Sequence, residues 1–414
     1  MIYSFAIQLY ALGIRIGALF NKKARLMVKG QSQTYRILKE KVLPDVSYIW
    51  FHAASLGEFE QGRMLIESIR KKYPQYKILL TFFSPSGYEV RKDYSGADIV
   101  CYLPFDTYKN ARHFMRLVHP KMVFFIKYEF WKNYFSQLKK NNIPVYSIDS
   151  IFRPNQIFFK PYGFFYSKVL RCVTYFFVQN KESYKLLREN GYDNAIVVGD
   201  TRFDRVLEIK NNAPEVSLAA QFSLSGSQDD YILVAGSTWP ADEDILINYF
   251  NTHLEQRLII APHVVSESHL REIENRLKRT FVRMTSATIE TVKNVDCLIV
   301  DCYGKLSSIY RYGKMAYVGG GFGVGIHNVP EAAVYGIPVI IGPNNEKFCE
   351  VQALKKEGAV FEIHSAMDFE CIQNKLFSDR SFCEKAGTKA RKYIQQEAGA
   401  VNKIMSKLEY MFEE

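Results

Sequence analysis

Short apolar runs rich in β-branched and aromatic residues alternate with helix-like segments along most of this 414-residue chain. This alternation is typical of parallel β-sheets built from βαβ units. In the first half, the predicted strands are Tyr48–His52, Ile78–Phe82, Ile99–Leu103, Val123–Ile126, Val145–Ile148 and Tyr175–Val178. The predicted helices between them include Glu60–Lys72, Thr107–His119 and Glu182–Asn190. The pattern therefore predicts an α/β fold.

The alternation pauses in a polar segment, residues 211–230, which we interpret as an interdomain linker. The strands predicted after it are Tyr231–Ala235, Leu258–Ala261, Cys297–Val300, Met315–Val318 and Val339–Ile341. A chain of this length can bury two separate cores. We therefore predict two Rossmann-like domains, residues 22–210 and 231–414 with C-terminal helices, facing a cleft. Ligands are expected at the carboxyl ends of the strands.

The N-terminal segment, residues 1–21, is apolar apart from Ser4, Gln8, Arg15 and Asn21, and it is followed by basic residues such as Lys22 and Lys23. Arg15 argues against a clean transmembrane span. The segment is interpreted as a helix that anchors the chain at a membrane surface, with an ordinary amphipathic helix as the alternative. A net charge of +11 favours an anionic partner. Seven scattered cysteines, without metal-ligand spacing, are typical of free thiols in a reducing compartment.

The aromatic and basic stretch Ser150–Ser167 contains neither Asp nor Glu. Such a stretch suits a membrane interface or single-stranded nucleic acid, and part of it can be ordinary core. The apolar N-terminal segment favours a lipid surface, so no nucleic-acid partner is predicted.

The most informative motif is GGGFGVGIHNVPE, Gly319–Glu331, which joins a predicted strand to a helix that opens near Pro330. Glycines such as Gly320 let the backbone approach a phosphate, and a helix N-terminus offers unpaired N–H groups. Glu331 is placed to accept hydrogen bonds from a ribose. The alternative is a tight βα turn in which Glu331 only complements the helix dipole.

Other candidate donor-site residues in the second half also follow predicted strands: Ser237, Thr238, His263, Gly304 and Lys305. Hydroxyls, imidazole and lysine at this edge are suited to phosphate, and a helix N-cap or a solvated lysine is the structural alternative. The acidic run Asp242–Asp244 superficially matches a metal-binding pattern. Because it opens a helix after Pro240, we assign it to the helix dipole and predict no metal site.

In the first half, Ser55-Leu56-Gly57-Glu58 follows a strand and precedes a helix. A carboxylate at this position, Glu58, can act as a general base toward an acceptor hydroxyl. The alternative is that Glu58 merely sits at the helix N-terminus, although Glu60 is expected to be better suited to capping. Glu129 follows another strand and places a second carboxylate at the same rim.

Taken together and in order, the motifs resemble the 3-deoxy-D-manno-octulosonic acid (Kdo) transferase family. They are HAASLGE (52–58), TFFSPSG (81–87), YLPFD (102–106), EFWKN (129–133), VVGDTRFD (197–204), AGST (235–238), the glycine-rich GIHNVPE region and IIGP. The resemblance implies a GT-B fold and an inverting, metal-independent transfer of Kdo from CMP-Kdo to the lipid A precursor. It also implies no cofactor and a location on the cytoplasmic face of the inner membrane.

The resemblance gives Glu58 the role of catalytic base. We predict that Ser55, Gly57 and Glu129 lie on the acceptor side. The resemblance also gives His327, Asn328 and Glu331 the role of CMP-binding residues. The chain departs from the family where Pro-Arg-His becomes Pro262-His263-Val264, where Met-Gly-Glu becomes Tyr303-Gly304-Lys305, and where Glu-x-Glu becomes Lys127-Tyr128-Glu129. We hypothesise that Lys305 compensates for the missing arginine. A UDP-sugar GT-B enzyme, such as a UDP-GlcNAc 2-epimerase, is the alternative, and a non-catalytic membrane or nucleic-acid binder fits the retained Glu58 less well.

Overall fold

The structure is a computed structural model and describes residues 2–226 and 231–412. The chain divides into two compact units. One comprises Met1–Arg205 together with Gly399–Glu414, and the other comprises Val206–Ala398. Each unit is built around one seven-stranded sheet. The α/β prediction with two parallel sheets is confirmed.

The first sheet has the order β3-β2-β1-β4-β5-β6-β7, with every neighbouring pair parallel. Its strands are β1 (Tyr48–Ala53), β2 (Lys77–Phe82), β3 (Ile99–Tyr102), β4 (Met122–Ile126), β5 (Val145–Ser150), β6 (Tyr175–Val178) and β7 (Ala195–Val197). The chain moves from β1 toward one edge and then returns to the other side of β1 at β4. The strand order therefore reverses between β1 and β4, where an open α/β sheet forms its ligand crevice.

Helices cover both faces of this sheet. The helices that begin in this unit before its boundary at Arg205 are α1 (Ile2–Gly17), α2 (Lys22–Lys41), α3 (Leu56–Lys72), α4 (Pro85–Arg91), α5 (Tyr108–Val118), α6 (Lys132–Lys140), α7 (Phe164–Leu170), α8 (Lys181–Glu189) and α9 (Thr201–Asn212), and α9 continues into the second unit. Along β1, Tyr48 and Trp50 enter one core cluster, whereas Ile49 and Phe51 enter the other. Burial on both faces explains why the strands read as continuous apolar runs.

The predicted N-terminal helix is present as α1, and a second helix, α2, follows it after a bend of 118°. Residue 1 of the predicted segment lies outside the described residues. Across residues 2–226 and 231–412, no single helix has both the length and the apolar character needed to cross a bilayer. Within the same described ranges, α1 and α2 pass this test of length and composition as a pair, although they are bent relative to each other.

The second sheet has the order β10-β11-β9-β8-β12-β13-β14 and is also parallel throughout. Its strands are β8 (Tyr231–Thr238), β9 (Gln256–Pro262), β10 (Phe281–Arg283), β11 (Cys297–Ile299), β12 (Met315–Val318), β13 (Val339–Ile341) and β14 (Val360–Glu362). Its order reverses between β8 and β12, which places the expected crevice at the carboxyl ends of these two strands.

The helices of the second unit surround this sheet. They are α10 (Ser217–Leu224), α11 (Pro240–Thr252), α12 (Glu267–Arg276), α13 (Ile289–Val292), α14 (Leu306–Ile309), α15 (Val329–Ala333), α16 (Cys349–Glu357), α17 (Ala366–Ser378) and α18 (Arg380–Glu397).

The last helix, α19 (Ala400–Phe412), corrects the predicted extent of the second domain, because it belongs to the first unit. Its apolar stripe, including Ile404 and Leu408, packs into the same core as Leu65 of α3. The Asp204 carboxylate accepts hydrogen bonds from the Gly399 and Ala400 amides and so holds the start of the helix. An amphipathic stripe shows that a helix is buried on one side but not which sheet receives it.

The predicted linker, residues 211–230, is also corrected in part. Helix α10 lies inside it and buries Ala219 and Phe222 in the second unit. The Arg257 guanidinium lies 3.9 Å from the Phe222 ring and donates to the Phe222 carbonyl oxygen, so this segment is packed structure and not a linker. Residues 227–230 lie outside the described residues. The unit boundary falls at Arg205 rather than at residue 210.

Candidate active site

Glu58 lies at the carboxyl end of β1, beside the point where the first sheet reverses its strand order. Ser55 caps the following helix α3. Its backbone N–H donates to Glu58 Oε2 at 2.7 Å, and its hydroxyl donates to the same oxygen at 3.0 Å. Within the described residues, no hydrogen bond reaches Glu58 Oε1. The carboxylate is therefore held in one orientation by Oε2, and Oε1 remains able to accept a proton.

The surroundings of Glu58 raise the pKa of its carboxyl above the usual range. Burial is the largest cause, and the negative charge of Glu129 acts in the same direction. The hydrogen bonds from Ser55 and the nearby His52 oppose the increase. A carboxylate that is half-buried beside a like charge is a stronger base than a solvated one. The geometry and the shift together fit a general base.

Glu58, rather than Glu60, fills the capping position, so the expectation for Glu60 is wrong. The Glu60 carboxylate instead pairs with Arg91 at 2.6 Å and lies within 4.0 Å of Arg63 and Arg205. Gly57, in the first turn of α3, is exposed, and a Cβ there would lie 4.0 Å from Ser55 Oγ, an ordinary contact.

His52 is a site residue that the sequence analysis did not single out. It is completely buried near the end of β1, and its Nδ1 lies 2.9 Å from Thr81 Oγ1. Its Nε2 has no hydrogen-bond partner within the described residues and lies 3.8 Å from Glu129 Oε2. Glu129 Oε2 also accepts from Trp131 Nε1 at 2.8 Å. The sequence did contain a signal for this residue, namely a histidine inside an otherwise apolar strand. Such a histidine is expected to be buried, and a buried polar group needs hydrogen-bond partners.

The glycine-rich turn follows β12 at the reversal point of the second sheet. A Cβ on Gly319 would lie 2.3 Å from the Ser237 carbonyl oxygen, and one on Gly320 would lie 2.3 Å from the Gly325 carbonyl oxygen. Gly320 also has φ of +94°. Only glycine fits this close packing of the turn against the neighbouring backbone.

The segment after β8 packs against this turn. The Thr238 hydroxyl is buried and donates to Glu243 Oε1 at 2.9 Å, so it points into the protein. Ser237 is half-buried and has φ of +53°, an uncommon conformation for a residue with a side chain. Of the two predicted hydroxyls, only that of Ser237 is left for a ligand.

The acidic run Asp242–Asp244 stabilises local structure. Asp242 Oδ2 accepts from the backbone N–H of Gly320 at 2.8 Å and from that of Trp239 at 2.9 Å. Glu243 accepts from Thr238, and Asp244 pairs with Arg276. In the part of the chain that the structure describes, no group of three His, Cys, Asp or Glu side chains is arranged to hold a metal ion.

Three rings meet beside the glycine turn: Trp239 after β8 and His327 after β12 lie side by side with their planes 5° apart, and His263 after β9 stacks against both. The centroids of Trp239 and His263 are 4.9 Å apart, and those of His263 and His327 are 4.4 Å apart. Burial, and then the neighbouring His263, lower the pKa of His327, while Asp242 opposes the decrease. The structure thus brings the predicted histidines together around Trp239, which the sequence analysis did not single out.

The remaining predicted residues lie at the same edge of the sheet. Asn328 is the N-cap of α15, and its side-chain amide donates to Glu331 Oε1 at 2.8 Å. Lys305 is exposed at the start of α14, after Gly304, whose φ is +81°. The Lys305 carbonyl oxygen accepts from the Ser308 and Ile309 amides, whereas its Nζ makes no hydrogen bond or ion pair with any described residue. Its ammonium group is therefore available for an anionic ligand.

Comparison with known proteins gives consistent results. The family described as "3-Deoxy-D-manno-octulosonic-acid transferase (kdotransferase)" matches residues 21–205. The chain is 27% identical to the 3-deoxy-D-manno-octulosonic acid transferase of Aquifex aeolicus over 80% of this chain and 86% of that protein. It is 23% identical to the enzyme of the same name from Haemophilus influenzae over 88% of this chain and 87% of that protein.

Solved structures support the fold. UDP-GlcNAc 2-epimerase from Neisseria meningitidis, bound to UDP-GlcNAc, has a TM-score of 0.56, 12% identity and coverage of 84% of this chain and 99% of its own. The calicheamicin glycosyltransferase CalG4 has a TM-score of 0.54, 8% identity and coverage of 88% and 98%. At such identities the likeness concerns the fold alone, which is GT-B. With the ordered motifs, the family match over residues 21–205 and the broadly aligned relatives, the chain is similar to 3-deoxy-D-manno-octulosonic acid transferases and is a glycosyltransferase.

Proposed function

We propose that this enzyme transfers Kdo from CMP-Kdo to the lipid A precursor lipid IVA, as a step of lipopolysaccharide core biosynthesis. The observation that carries the proposal is the position of Glu58. It lies at the reversal point of the first sheet, one of its oxygens is fixed by Ser55, and its pKa is raised. A general base for an acceptor hydroxyl needs this combination of fixed orientation and increased basicity.

The proposed reaction is an inverting single displacement. Glu58 takes the proton of a glucosamine hydroxyl while the hydroxyl oxygen forms a bond to the anomeric carbon of Kdo. The bond between that carbon and the phosphate oxygen breaks, and its electron pair leaves with CMP. The departing group is a phosphate monoester, which amide dipoles and cations can stabilise without a divalent metal.

The donor is proposed to bind at the reversal point of the second sheet. Support comes from the backbone approach at Gly320, the Ser237 side chain and the ring stack that contains His263 and His327. Asn328 and Glu331 are joined by a hydrogen bond and are proposed to contact the nucleoside. Lys305 is proposed to supply positive charge for the phosphate.

The acceptor is a lipid, and helix α1 supports binding to an anionic membrane surface. Its docked side carries Ile7, Ala11 and Ile14, which belong to a small core cluster. Its other side exposes four large apolar side chains at helical spacing: Phe5, Leu9, Leu12 and Ile16. Basic residues follow in α2. A helix of this kind lies in the membrane interface, here proposed to be the cytoplasmic face of the inner membrane.

Vesicle sedimentation tests the membrane proposal. Combined Leu9→Ser and Leu12→Ser substitutions should reduce binding to vesicles that contain anionic phosphatidylglycerol. The matched control is Leu43→Ser, because Leu43 is 53% exposed, like Leu12 at 52%, but lies outside α1. Equal binding by all variants would contradict the role of the α1 surface.

Mass spectrometry of the lipid product tests the reaction. Incubation of the full chain with CMP-Kdo and tetra-acylated lipid A precursor should yield a lipid heavier by one or more Kdo residues, together with free CMP. A parallel incubation with UDP-sugars should release no UDP. Release of UDP without release of CMP would replace the proposal with that of a UDP-sugar enzyme.

A further inference from the structure

Trp239 and His327 are joined by a hydrogen bond that fixes where the imidazole carries its proton. The indole Nε1 of Trp239 lies 3.1 Å from Nε2 of His327. An indole nitrogen can only donate a hydrogen bond. His327 Nε2 must therefore accept, and the neutral ring then carries its proton on Nδ1.

Both partners are held in place by the same buried carboxylate. Asp242 Oδ2 accepts from the Trp239 backbone N–H and from the Gly320 backbone N–H, while Oδ1 accepts from the Tyr317 hydroxyl at 2.7 Å. The His327 ring lies directly against Gly320, because a Cβ built there would be 3.2 Å from His327 Cδ2. The indole and the imidazole are thus positioned by one shared anchor.

The charge state of His327 follows from the same arrangement. Protonation of Nε2 would place two N–H groups against each other and break the hydrogen bond from Trp239. The titratable groups that act on the ring are His263, stacked from the loop after β9, and Asp242 on α11. Asp242 already accepts three hydrogen bonds. Nδ1 of His327 has no hydrogen bond within the described residues.

We propose that Trp239 is a positioning residue for the donor nucleotide. It holds His327 as a neutral imidazole whose Nδ1–H donates to an oxygen of the nucleotide, so that His327 acts as a directional hydrogen-bond donor and not as a cation. This proposal rests on the proposed function for the identity of the ligand, CMP, but the tautomer itself belongs to the ligand-free protein.

Long-range ¹H–¹⁵N correlation spectra of the ligand-free full chain, labelled with ¹⁵N-histidine, test the tautomer directly. The His327 signals, assigned by their loss in His327→Asn, should show Nδ1 protonated and Nε2 unprotonated at pH 7.5. In Trp239→Phe, which keeps a stacking ring but removes the donor, the two tautomers should mix and the His327 pKa should rise. The matched control Trp131→Phe removes an indole donor in the other unit and should leave these signals unchanged.

Binding of CMP, measured by calorimetry at pH 7.5, connects the tautomer to the ligand. Trp239→Phe should weaken CMP about fivefold, the size expected for one misdirected neutral hydrogen bond. A wild-type spectrum with Nε2 protonated would overturn the proposal even if Trp239→Phe did not fold. The proposal would also be overturned if folded Trp239→Phe showed the same His327 spectrum as wild type, or bound CMP with the same affinity. If the wild-type tautomer is as expected but wild-type protein binds no CMP, the proposed function fails instead.

Discussion

The two sheets place a candidate site at the same topological position but build it from different parts. In the first unit, side chains dominate, because the Ser55 hydroxyl and amide fix Glu58 next to the buried His52 and Glu129. In the second unit, the backbone dominates, because a glycine turn packs against the end of β8. The difference follows from chemistry. A proton acceptor must be a titratable side chain with a tuned pKa. A phosphate is held by close N–H groups and by rings that are themselves held rigidly.

Glu58→Gln is the largest expected perturbation of the first site. It removes the base while keeping an oxygen that can accept from Ser55, so turnover should fall about 10²- to 10⁴-fold. CMP affinity, which we propose to reside in the second unit, should not change. The measurements are Kdo transfer by mass spectrometry and CMP binding by calorimetry. Glu60→Gln is the matched control and should retain most turnover, whereas intact turnover in Glu58→Gln would exclude the proposed mechanism.

The same variant has a predicted effect on stability. Because the folded protein raises the pKa of Glu58, the contribution of this group to stability is fully present below its unfolded pKa, near 4.3, and is lost as pH rises through the higher folded pKa. At neutral pH the ionised carboxylate therefore costs folding free energy. Glu58→Gln should melt at the same temperature as wild type or higher at pH 7.5, and a clear loss of stability would mean that capping outweighs this cost.

Gly320→Ala is the corresponding test of the second site. The added Cβ would approach the Gly325 carbonyl oxygen to 2.3 Å, and φ of +94° is unfavourable for alanine. CMP affinity should fall about tenfold or more, equivalent to at least about 1.4 kcal/mol. Gly323→Ala, in the same turn but with no atom within 4 Å of its Cβ, is the control and should bind CMP normally. Equal CMP affinities of Gly320→Ala and Gly323→Ala would mean that the close backbone packing at Gly320 is not needed for CMP binding.

The pH dependence of turnover separates the groups around Glu58. The proposed mechanism requires Glu58 in its ionised form, so kcat/KM should rise with pH through the raised pKa of Glu58. Ser55→Ala removes hydrogen bonding to the charged form and should move this rise to higher pH. Glu129→Gln removes a like charge and should move it to lower pH. Shifts in the same direction for both variants would contradict the assignment of the rise to Glu58.

Lys305→Ala is expected to have the smallest effect. Lys305 is exposed, so loss of its charge should weaken CMP about fivefold at low salt and less at high salt. Lys314→Ala is the control, because Lys314 precedes β12 and lies at the amino edge of the same sheet. The CMP affinities of both variants would be measured by calorimetry at a low and a high salt concentration. An unchanged affinity in Lys305→Ala would leave the missing arginine without a replacement at this position.

The sequence predicted eleven of the strands to within about two residues at most ends, because each is an apolar run buried on both faces. It missed β7, β10 and β14. These are three-residue strands at sheet edges, and each is only partly buried, so their apolar signal is weak. Helix α10 was mistaken for a linker because its small and polar residues resemble a loop in composition.

The sequence by itself determined the parallel α/β architecture, the ordered motifs of the family and the positions of Glu58, His327 and Gly320 after strands, because strand–turn–helix order is encoded locally. Only the tertiary structure decided that α19 packs on the first sheet and that the rings of Trp239, His263 and His327 meet. The physical reason is that most of these contacts join segments far apart in the chain. Their partners are chosen by packing and by hydrogen bonds to buried groups such as Asp242, which no local pattern specifies.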